Sequence, residues 1–156
     1  MNTLSQDILK ELFIYDGFDL RWKKARANGK IKEGSIAGGI HPNGYRYIKI
    51  NGCSYRAHRL IYIYHYINIP KGLCIDHING KKDDNRLDNI RLVTHQENQF
   101  NRPTAKGYWK RKDTGKYVAS ICVDNKAYRL GQYNTEQEAR NAYLQAKAIK
   151  HIIKER

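Results

Sequence analysis

The segment from residue 73 to 102 constrains the fold most, because it carries four structural signals in succession. LCIDHI and IRLVT are apolar runs typical of strands, and the polar stretch NGKKDDNRLDN between them is typical of a loop. Thr94 and Glu97 have the spacing of a capping box, in which each side chain bonds a backbone amide of the other residue. We therefore predict strand, loop, strand and then a helix over HQENQFNR.

The chain before this segment has the patterns of short helices and a hairpin. LSQDILKELF and HRLIYIYHYI carry apolar residues at helical spacing, and FDLRWKKA is typical of a short strand. Asn51-Gly52 lies between two alternating runs, which predicts a β-hairpin. In the second helix we expect four side chains to face inward: Leu60, Ile61, Tyr64 and Ile67.

The chain after residue 103 predicts a small module made of one sheet and one helix. GYWKRK, KYVASICV and AYRLGQY alternate as strands do, with Asp-Thr-Gly and Asp-Asn-Lys turns between them. Thr135 and Glu138 form a second capping-box pattern, which predicts the start of the helix. Its expected apolar stripe consists of Ala139, Ala142, Tyr143, Ala146, Ile149 and Ile153. Together these elements predict an α+β chain.

The charge of the chain indicates a polyanionic partner. Lys and Arg number 29 against 15 Asp and Glu, which gives a formal net charge of +14. The surplus is +5 over residues 1–57, +2 over 58–102 and +7 over 103–156. The basic residues of the flanks alternate with Tyr and Trp, as expected of a surface that binds phosphates. Nucleic acid is therefore favoured over a charge that serves solubility alone.

Other features of the composition favour the cytoplasm. No apolar run approaches the roughly 20 residues that cross a bilayer, so no membrane partner is expected. The first residues lack the basic and then apolar order of a secretory signal. Three widely spaced cysteines without a C-x-x-C pattern fit a reducing compartment.

Asp76 and His77 suit the hydrolysis of a phosphodiester. A neutral histidine can take a proton from water near pH 7, since its ordinary pKa is about 6.5. A hard divalent cation can neutralise the charge on the leaving oxygen, and such cations prefer oxygen ligands like Asp76 and Asn98. Neighbouring strand residues point to opposite faces, so Asp76 and His77 can share a site only where the strand ends or bends. Asn79-Gly80 permits such a bend.

Four segments resemble, in order and spacing, the HNH or ββα-metal endonucleases of phages and group I introns: HRLIY at 58–62, IDHING at 75–80, DNRLDNIRLVT at 84–94 and ENQFNR at 97–102. The resemblance implies a small ββα-metal core that hydrolyses duplex DNA and leaves 5′ phosphate and 3′ hydroxyl ends. It assigns His77 as the general base and Asn89 as a catalytic-site residue that pins the loop and orients His77. Asp76 and Asn98 would bind one Mg²⁺ or Mn²⁺ ion. Many relatives have histidine in place of Asn98, so this chain favours hard ions.

Other polar residues near this segment are expected to be structural. The capping box explains Glu97. Asn101 is expected to hydrogen-bond a loop, with the region of the scissile phosphate as the alternative. His58 at a helix start is expected to pack or to form a hydrogen bond. Cys74 and His77 have C-x-x-H spacing, but no second pair follows, so no structural zinc is expected.

The C-terminal module resembles an AP2-type DNA-binding domain, in which a three-stranded sheet lies in the major groove and a helix braces it. The residues that carry the resemblance are Gly107, Trp109, Lys116-Tyr117, Ala119, Ile121, Leu130-Gly131, Tyr133 and the helix from 136. The expected DNA contacts are Trp109, Arg111, Lys116, Ser120 and Arg129. Tyr117 is expected to pack between sheet and helix instead.

The sequence thus predicts three regions: a basic, DNA-contacting hairpin region at 1–57, the HNH core at 58–102 and the AP2-like domain at 103–156. In the first region, Lys23, Lys24, Arg26, Lys30 and Lys32 are expected to bind phosphates, with a solvated basic loop as the alternative. We expect a metal-dependent endonuclease that nicks or cuts double-stranded DNA in the cytoplasm of a bacterial or phage-infected cell. No small-molecule cofactor is expected, and a monomer and a dimer are both compatible.

Two other functions stay open at this point. The first is a DNA-binding regulator that uses the AP2-like domain and whose nuclease core is inactive. The intact set of Asp76, His77, Asn89 and Asn98 argues against it. The second is a nuclease or binding protein directed at RNA, which attraction to phosphates alone does not distinguish from one directed at DNA.

Overall fold

A computed structural model of the chain describes residues 4–25, 29–102, 105–124 and 126–153. Arg26, one of the expected phosphate contacts, lies outside the described residues. The chain divides into two compact units, the first ending at Thr94 and the second beginning at His95. Both units mix helices with small antiparallel sheets. No helix within the described ranges is long and apolar enough to cross a membrane.

The first unit contains two helices and three small sheets. The helices are α1 (Gln6–Leu12) and α2 (Ala57–Tyr66), with a 3₁₀ turn at Leu87–Asn89. The sheets pair β1 (Phe13–Tyr15) with β2 (Leu20–Trp22), β3 (Gly39–Ile40) with β4 (Arg46–Ile50) and β5 (Cys53–Arg56), and β6 (Leu73–His77) with β7 (Ile90–Thr94). The strands over LCIDH and IRLVT confirm the prediction for this segment.

The hairpin between β4 and β5 turns at Asn51-Gly52, as the sequence predicts. Asn51 has φ 48° and Gly52 has φ 82°, so both central residues adopt the left-handed conformation. A two-residue turn of this kind matches the right-handed twist of the strands on either side. The register therefore places Ile50 opposite Cys53.

Helix α2 buries only part of its expected inward face. Leu60 and Ile61 are fully buried and Tyr64 packs partly against the core. The expectation for Ile67 was wrong, because its side chain is 67% exposed. The helix ends at Tyr66, and Ile67 takes φ 71° while its N–H bonds the carbonyl of Ile63. The change of backbone conformation removes this side chain from the helical stripe.

One hydrophobic core joins the start of the chain to the β6–β7 hairpin. Its buried side chains come from α1, β1, β2, β4, α2, β6 and β7: Leu9, Phe13, Leu20, Trp22, Ile48, Ile50, Leu60, Ile61, Ile75, Ile90 and Leu92. Complete burial of one such side chain contributes about 1.5–3 kcal/mol. The hairpin that carries Asp76 and His77 therefore shares its core with helices and strands from much earlier in the chain, beginning with α1.

The second unit contains α3 (His95–Phe100), a three-stranded sheet and α4 (Glu136–Lys150). The sheet has the order β10 (Lys126–Tyr133), β9 (Tyr117–Val123), β8 (Tyr108–Lys110). These elements agree with the helix, strands and helix predicted from the sequence. The second capping box is confirmed, because the Glu138 N–H donates to Thr135 Oγ1 at 3.2 Å and the Thr135 N–H donates to Glu138 Oε2 at 3.0 Å.

The apolar stripe of α4 is shorter than expected. Ala139 and Tyr143 are buried, but Ile149 is 73% exposed and Ile153 follows the helix. At 3.6 residues per turn, Ile149 is rotated about 80° from Ala139, which moves it off the buried face. Tyr143 also explains Gly107, which has φ 75° and where an added Cβ would lie 2.0 Å from the tyrosine ring.

Candidate active site

Asp76 and His77 lie at the end of β6, where the chain turns sharply. Both side chains are buried, with 8% of Asp76 and 4% of His77 exposed. The N–H of Gly80 donates to the carbonyl of His77 at 2.9 Å, and Gly80 has φ 73°. The expected bend directly after His77 is therefore present.

Arg91 forms an ion pair with Asp76 across the β6–β7 ladder. The two residues face each other in the register, and Arg91 Nη2 and Nε lie 2.9 and 3.1 Å from Asp76 Oδ2. A cross-strand pair of opposite charge stabilises its ladder and limits the orientations of both side chains. Arg91 was not among the predicted site residues. Only the register of the β6–β7 hairpin places Arg91 opposite Asp76. The long loop between the two strands leaves that register undetermined in the sequence.

His77 contacts a buried polar residue that the sequence did not single out. His77 Nε2 lies 3.3 Å from Oδ1 of Asn85, and the side chain of Asn85 is fully buried. Asn85 Nδ2 donates in turn to Asp19 Oδ1 at 3.0 Å, and Asp19 lies in the turn directly before β2. Asp19 forms an ion pair with Arg46 of β4 at 3.2 Å. The network joins the candidate base to residues early in the chain.

Burial lowers the pKa of His77 below its ordinary value. The hydrogen bond with Asn85 and the negative charges of Asp76, Asp84 and Asp83 act in the opposite direction, but the effect of burial is larger. The imidazole is thus neutral at pH 7. A neutral imidazole is the form that can accept a proton from water.

His58 packs edge-on against His77, with ring centroids 4.9 Å apart. It lies in the first turn of α2 and is buried. Burial lowers the pKa of His58 to about 3, and nearby positive charges add to this effect. The charges are those of Arg56, Arg59 and the protonated form of His77. His58 is therefore neutral and apolar in behaviour, which agrees with the packing role expected for it.

Asn89 ties together the two sides of the loop between β6 and β7. Its Oδ1 accepts from the Asn79 N–H at 3.1 Å, and its Nδ2 donates to Asn79 Oδ1 at 3.1 Å and to the Asp84 carbonyl at 2.7 Å. Its own carbonyl accepts from the N–H of Ile78 at 2.8 Å. These bonds hold the backbone directly after His77, which is the loop-pinning part of the role expected for Asn89.

Two cationic side chains surround an aromatic ring near His77. Tyr45 lies 6.1 Å from the His77 ring, centroid to centroid. The guanidinium of Arg56 and the ammonium of Lys82 lie 4.7 and 5.1 Å from the Tyr45 ring. Lys82 also donates to the Asn43 carbonyl at 3.0 Å. These positive groups, absent from the predicted contacts, are brought to the site by the fold.

The expected metal ligands belong to different units, Asp76 to the first and Asn98 to the second. Asn98 lies on α3 with an exposed side chain. Across the described ranges, no group of three or more His, Cys, Asp or Glu side chains could hold a metal ion. Mg²⁺ does not require such a group, because it keeps several waters and binds through one or two carboxylates and substrate phosphates. A carboxylate and an amide oxygen fit this chemistry.

Three of the expected DNA contacts share one face of the β8–β10 sheet. Trp109 is opposite Val118 and Ser120 is opposite Arg129, and alternate residues of β9 share a face. The other face carries Tyr108, which donates to Glu136 of α4, and Tyr128, whose ring lies 5.3 Å from Lys150 of α4. Helix α4 thus covers the face opposite Trp109, Ser120 and Arg129.

The remaining expected contacts are distributed around this sheet and in the first unit. Arg111 pairs with Asp113, its Nε lying 2.9 Å from Oδ1. The amide oxygen of Gln132 faces two arginines. It accepts from Arg111 Nη1 at 3.1 Å and from Arg129 Nη2 at 2.8 Å. Lys116 and Lys24 are exposed, whereas Lys23 donates to the Lys10 carbonyl at 2.5 Å. Tyr117 contacts Tyr108 edge-on at 6.1 Å, on the helix side of the sheet.

Comparison with known proteins places this site in a known class of domain. Residues 55–100 match the family model described as HNH endonuclease. The chain is 40% identical over 64 residues to "SPbeta prophage-derived putative HNH homing endonuclease YosQ" of Bacillus subtilis, covering 38% of this chain and 37% of that protein. It is 36% identical over 72 residues to "DNA endonuclease I-HmuI" of Bacillus phage SP01, covering 42% and 41%.

The matches cover only part of each protein. The chain spans about two fifths of the length of these curated relatives. No solved structure gives a significant match to the chain. The candidate site, with Asp76, His77 and Asn89, lies wholly within the matched residues. Residues 55–100 are therefore similar to HNH endonuclease domains.

Proposed function

We propose that the chain is a metal-dependent endonuclease that hydrolyses phosphodiester bonds of duplex DNA. The observation that carries the proposal is the buried, neutral His77 beside Asp76 at the end of β6, within the segment that matches the HNH family model. The relatives named as homing endonucleases support DNA as the substrate. The enzyme would act in the cytoplasm of a bacterial or phage-infected cell.

In the proposed reaction His77 accepts a proton from the attacking water. The water oxygen forms a bond to phosphorus, the bond from phosphorus to the 3′ oxygen breaks, and the 3′ oxygen takes a proton from solvent. The products carry a 5′ phosphate and a 3′ hydroxyl. Asn89 holds the backbone after His77 in place, and Arg91 fixes the orientation of the Asp76 carboxylate.

Asp76 and Asn98 would hold one Mg²⁺ or Mn²⁺ ion. When bound, the ion supplies positive charge against the oxygen that leaves. The assignment of Asp76 is supported by its burial beside His77. The assignment of Asn98 rests on the resemblance of ENQFNR to the family pattern.

We further propose that residues 103–156 form an AP2-like module whose sheet binds the major groove. The support is the shared face of Trp109, Ser120 and Arg129, which α4 does not cover within its unit. A sheet can read base edges in this groove, and arginine bonds guanine there. Arg111 and Lys116 would add contacts from the strand end and the turn. Lys23, Lys24 and Arg26 would bind phosphates from the first unit, and Arg56 and Lys82 would meet phosphates beside the scissile bond.

The alternative of a DNA-binding regulator without nuclease activity has one observation in its favour. The second unit is compact by itself and carries an uncovered face with basic and aromatic residues. That alternative leaves the buried network around His77 without a purpose. It predicts tight, salt-sensitive binding of DNA and no cleavage.

The test is cleavage of supercoiled plasmid DNA by the wild type and by His77→Ala, each with Mg²⁺ and with EDTA. We expect open-circle or linear product only from the wild type with Mg²⁺, and undiminished DNA binding by the variant. His95→Ala serves as the control, because this histidine is exposed and has no assigned role. A His77→Ala protein that cuts like the wild type would remove the proposed base, and a wild type that binds but never cuts would favour the regulator. A parallel panel of duplex DNA and RNA separates the two substrate classes.

A further inference from the structure

Asn85 is the most deeply buried polar side chain in contact with His77. Only 1% of the residue is exposed, in a loop whose other residues Lys82 and Asp83 are exposed. A buried amide normally costs free energy unless its polar atoms find partners. Here Oδ1 faces His77 Nε2 at 3.3 Å, and Nδ2 faces Asp19 Oδ1 at 3.0 Å.

The direction of these two hydrogen bonds is fixed by chemistry. An ionised carboxylate only accepts hydrogen bonds, so the Asn85 group that faces Asp19 is the amide NH₂. The Asn85 group that faces His77 is then the carbonyl oxygen, which also only accepts. His77 Nε2 must therefore carry the hydrogen, and the lone pair of the neutral ring lies on Nδ1.

Asp19 is itself held in one place. Its N–H donates to Asp16 Oδ1 at 2.8 Å, and its carbonyl accepts from the Asp16 N–H at 3.2 Å, which closes the turn between β1 and β2. Arg46 Nε lies 3.2 Å from Asp19 Oδ2 as an ion pair, without the alignment of a hydrogen bond. The carboxylate that orients Asn85 therefore comes from a separate and rigid part of the unit.

We propose that Asp19 and Asn85 are positioning residues that fix His77 as its Nε2–H tautomer, so that Nδ1 takes the proton from the attacking water. Neither residue touches the substrate in this proposal, and both act through His77. The inference deepens the proposed nuclease function and rests on it. It also assigns a purpose to a contact between residues 66 positions apart in the chain.

The first variant removes the acceptor and keeps the shape of the side chain. In Asn85→Leu we expect kcat for plasmid cleavage to fall about 10- to 100-fold, the usual cost of removing the partner that orients a functional histidine. KM should stay within about twofold of the wild type, since no substrate contact is lost. Ile48→Val is the control for general destabilisation, because it loosens the same core without touching the network.

The second variant restores a hydrogen-bond acceptor for His77 by exchanging the carboxylate and the amide between positions 19 and 85. In Asp19→Asn combined with Asn85→Asp, the amide at position 19 donates to the carboxylate at position 85, which accepts from His77 Nε2. We expect this double variant to recover most of the kcat lost in Asn85→Leu. The single Asn85→Asp variant should be less stable than the wild type, since it sets two carboxylates about 3 Å apart.

A second readout does not depend on cleavage. Nitrogen-15 chemical shifts of the imidazole of His77 in the full-length protein at neutral pH distinguish the two neutral tautomers. We expect Nε2–H in the wild type and in the double variant, and a mixture in Asn85→Leu. An Nδ1–H ring in the wild type, or an Asn85→Leu protein with unchanged tautomer and kcat, would overturn the proposal. If the wild type shows the Nε2–H ring but cuts no DNA, the tautomer assignment stands and the proposed nuclease function fails.

Discussion

The proposed catalytic residues of the first unit and the proposed DNA contacts of the second unit have opposite surroundings. In the first unit Asp76, His77, Asn85 and Asn89 are buried and bonded to one another or to neighbouring strands. In the second unit, Trp109 and Arg129 stand on an open sheet face, and Trp109 is 51% exposed. Buried and bonded groups keep one geometry, as chemistry requires, whereas exposed groups can adapt to a partner. The difference is the one expected if the proposed reaction takes place in the first unit and the proposed sheet face of the second unit binds DNA.

The largest expected difference between the units is in their response to acid. The pKa of His58 is about 3 in the folded protein against an ordinary 6.5, so between these values the unfolded chain binds a proton that the folded chain excludes. The free energy of unfolding of the first unit is therefore unaffected by His58 above pH 6.5. It decreases by about 3–5 kcal/mol as the pH falls from 6.5 toward 3. Urea unfolding at pH 8 and pH 4, followed by the buried Trp22 in a Trp109→Phe background, measures the loss.

His58→Phe keeps an aromatic ring in the same place and removes the titrating group. We expect the first unit of this variant to lose much less stability between pH 8 and pH 4. Trp109 fluorescence in a Trp22→Phe background reports on the second unit, whose acid sensitivity should be the same with and without His58→Phe. Equal sensitivity in the wild type and in His58→Phe would show that other groups dominate.

Asn98, a proposed metal ligand, can be tested by two substitutions. Asn98→Leu removes an oxygen donor, and we expect plasmid cleavage at fixed Mg²⁺ to fall about 10- to 100-fold. Asn98→Asp keeps an oxygen donor and should retain clearly more activity than Asn98→Leu. Titration with Mg²⁺ is the measurement, and the loss should shrink as the ion concentration rises. Equal activity of the two variants would remove Asn98 from the ligand set.

Substitutions on the sheet face of Trp109, Ser120 and Arg129 should weaken DNA binding and leave kcat unchanged. Arg129→Ala is expected to weaken duplex binding about tenfold, within the 1–3 kcal/mol typical of a guanine contact, while kcat at saturating DNA stays unchanged. Fluorescence anisotropy and plasmid cleavage measure the two quantities. Lys126→Ala on the same strand but the opposite face is the matched control. A fall in kcat for Arg129→Ala would break the division of roles between the units.

The smallest expected effect concerns the cationic pair around Tyr45. Lys82→Ala should lower the slope of log affinity against log salt by about 0.9, the change expected for one lost phosphate contact. Lys71→Ala, also basic and exposed and without a described contact to His77 or Tyr45, is the control. An unchanged slope for Lys82→Ala would limit this residue to its contacts with Tyr45 and Asn43.

The sequence predicted the elements that local chemistry determines. The Asn51-Gly52 turn, the strands over LCIDH and IRLVT, and the Thr135–Glu138 capping box each depend on residues within a few positions of one another. The errors at Ile67 and Ile149 have a related cause. Helical spacing identifies a stripe but does not show where the helix ends or how far the partner sheet extends.

The residues that the sequence missed depend on contacts between distant positions. Asn85 was part of a polar loop, and nothing in the pattern distinguishes it from its exposed neighbours. Its importance appears only when Asp19, 66 positions away, is placed beside it. Arg91 required the register of the hairpin, and Arg56 and Lys82 required the packing of β5 and the loop around Tyr45. Tertiary neighbours of this kind are not encoded in any short segment.

The shared core of the first unit sets the smallest piece of the chain that can be transplanted. A protein engineer who cut at the edges of the family match would take residues 55–100 and leave behind Leu9, Phe13, Leu20 and Ile48, against which the β6–β7 hairpin packs. The same cut would discard Asp19. A portable cutting cassette built from this chain therefore has to begin before α1, and it has to extend past α3 to keep the proposed metal ligand Asn98.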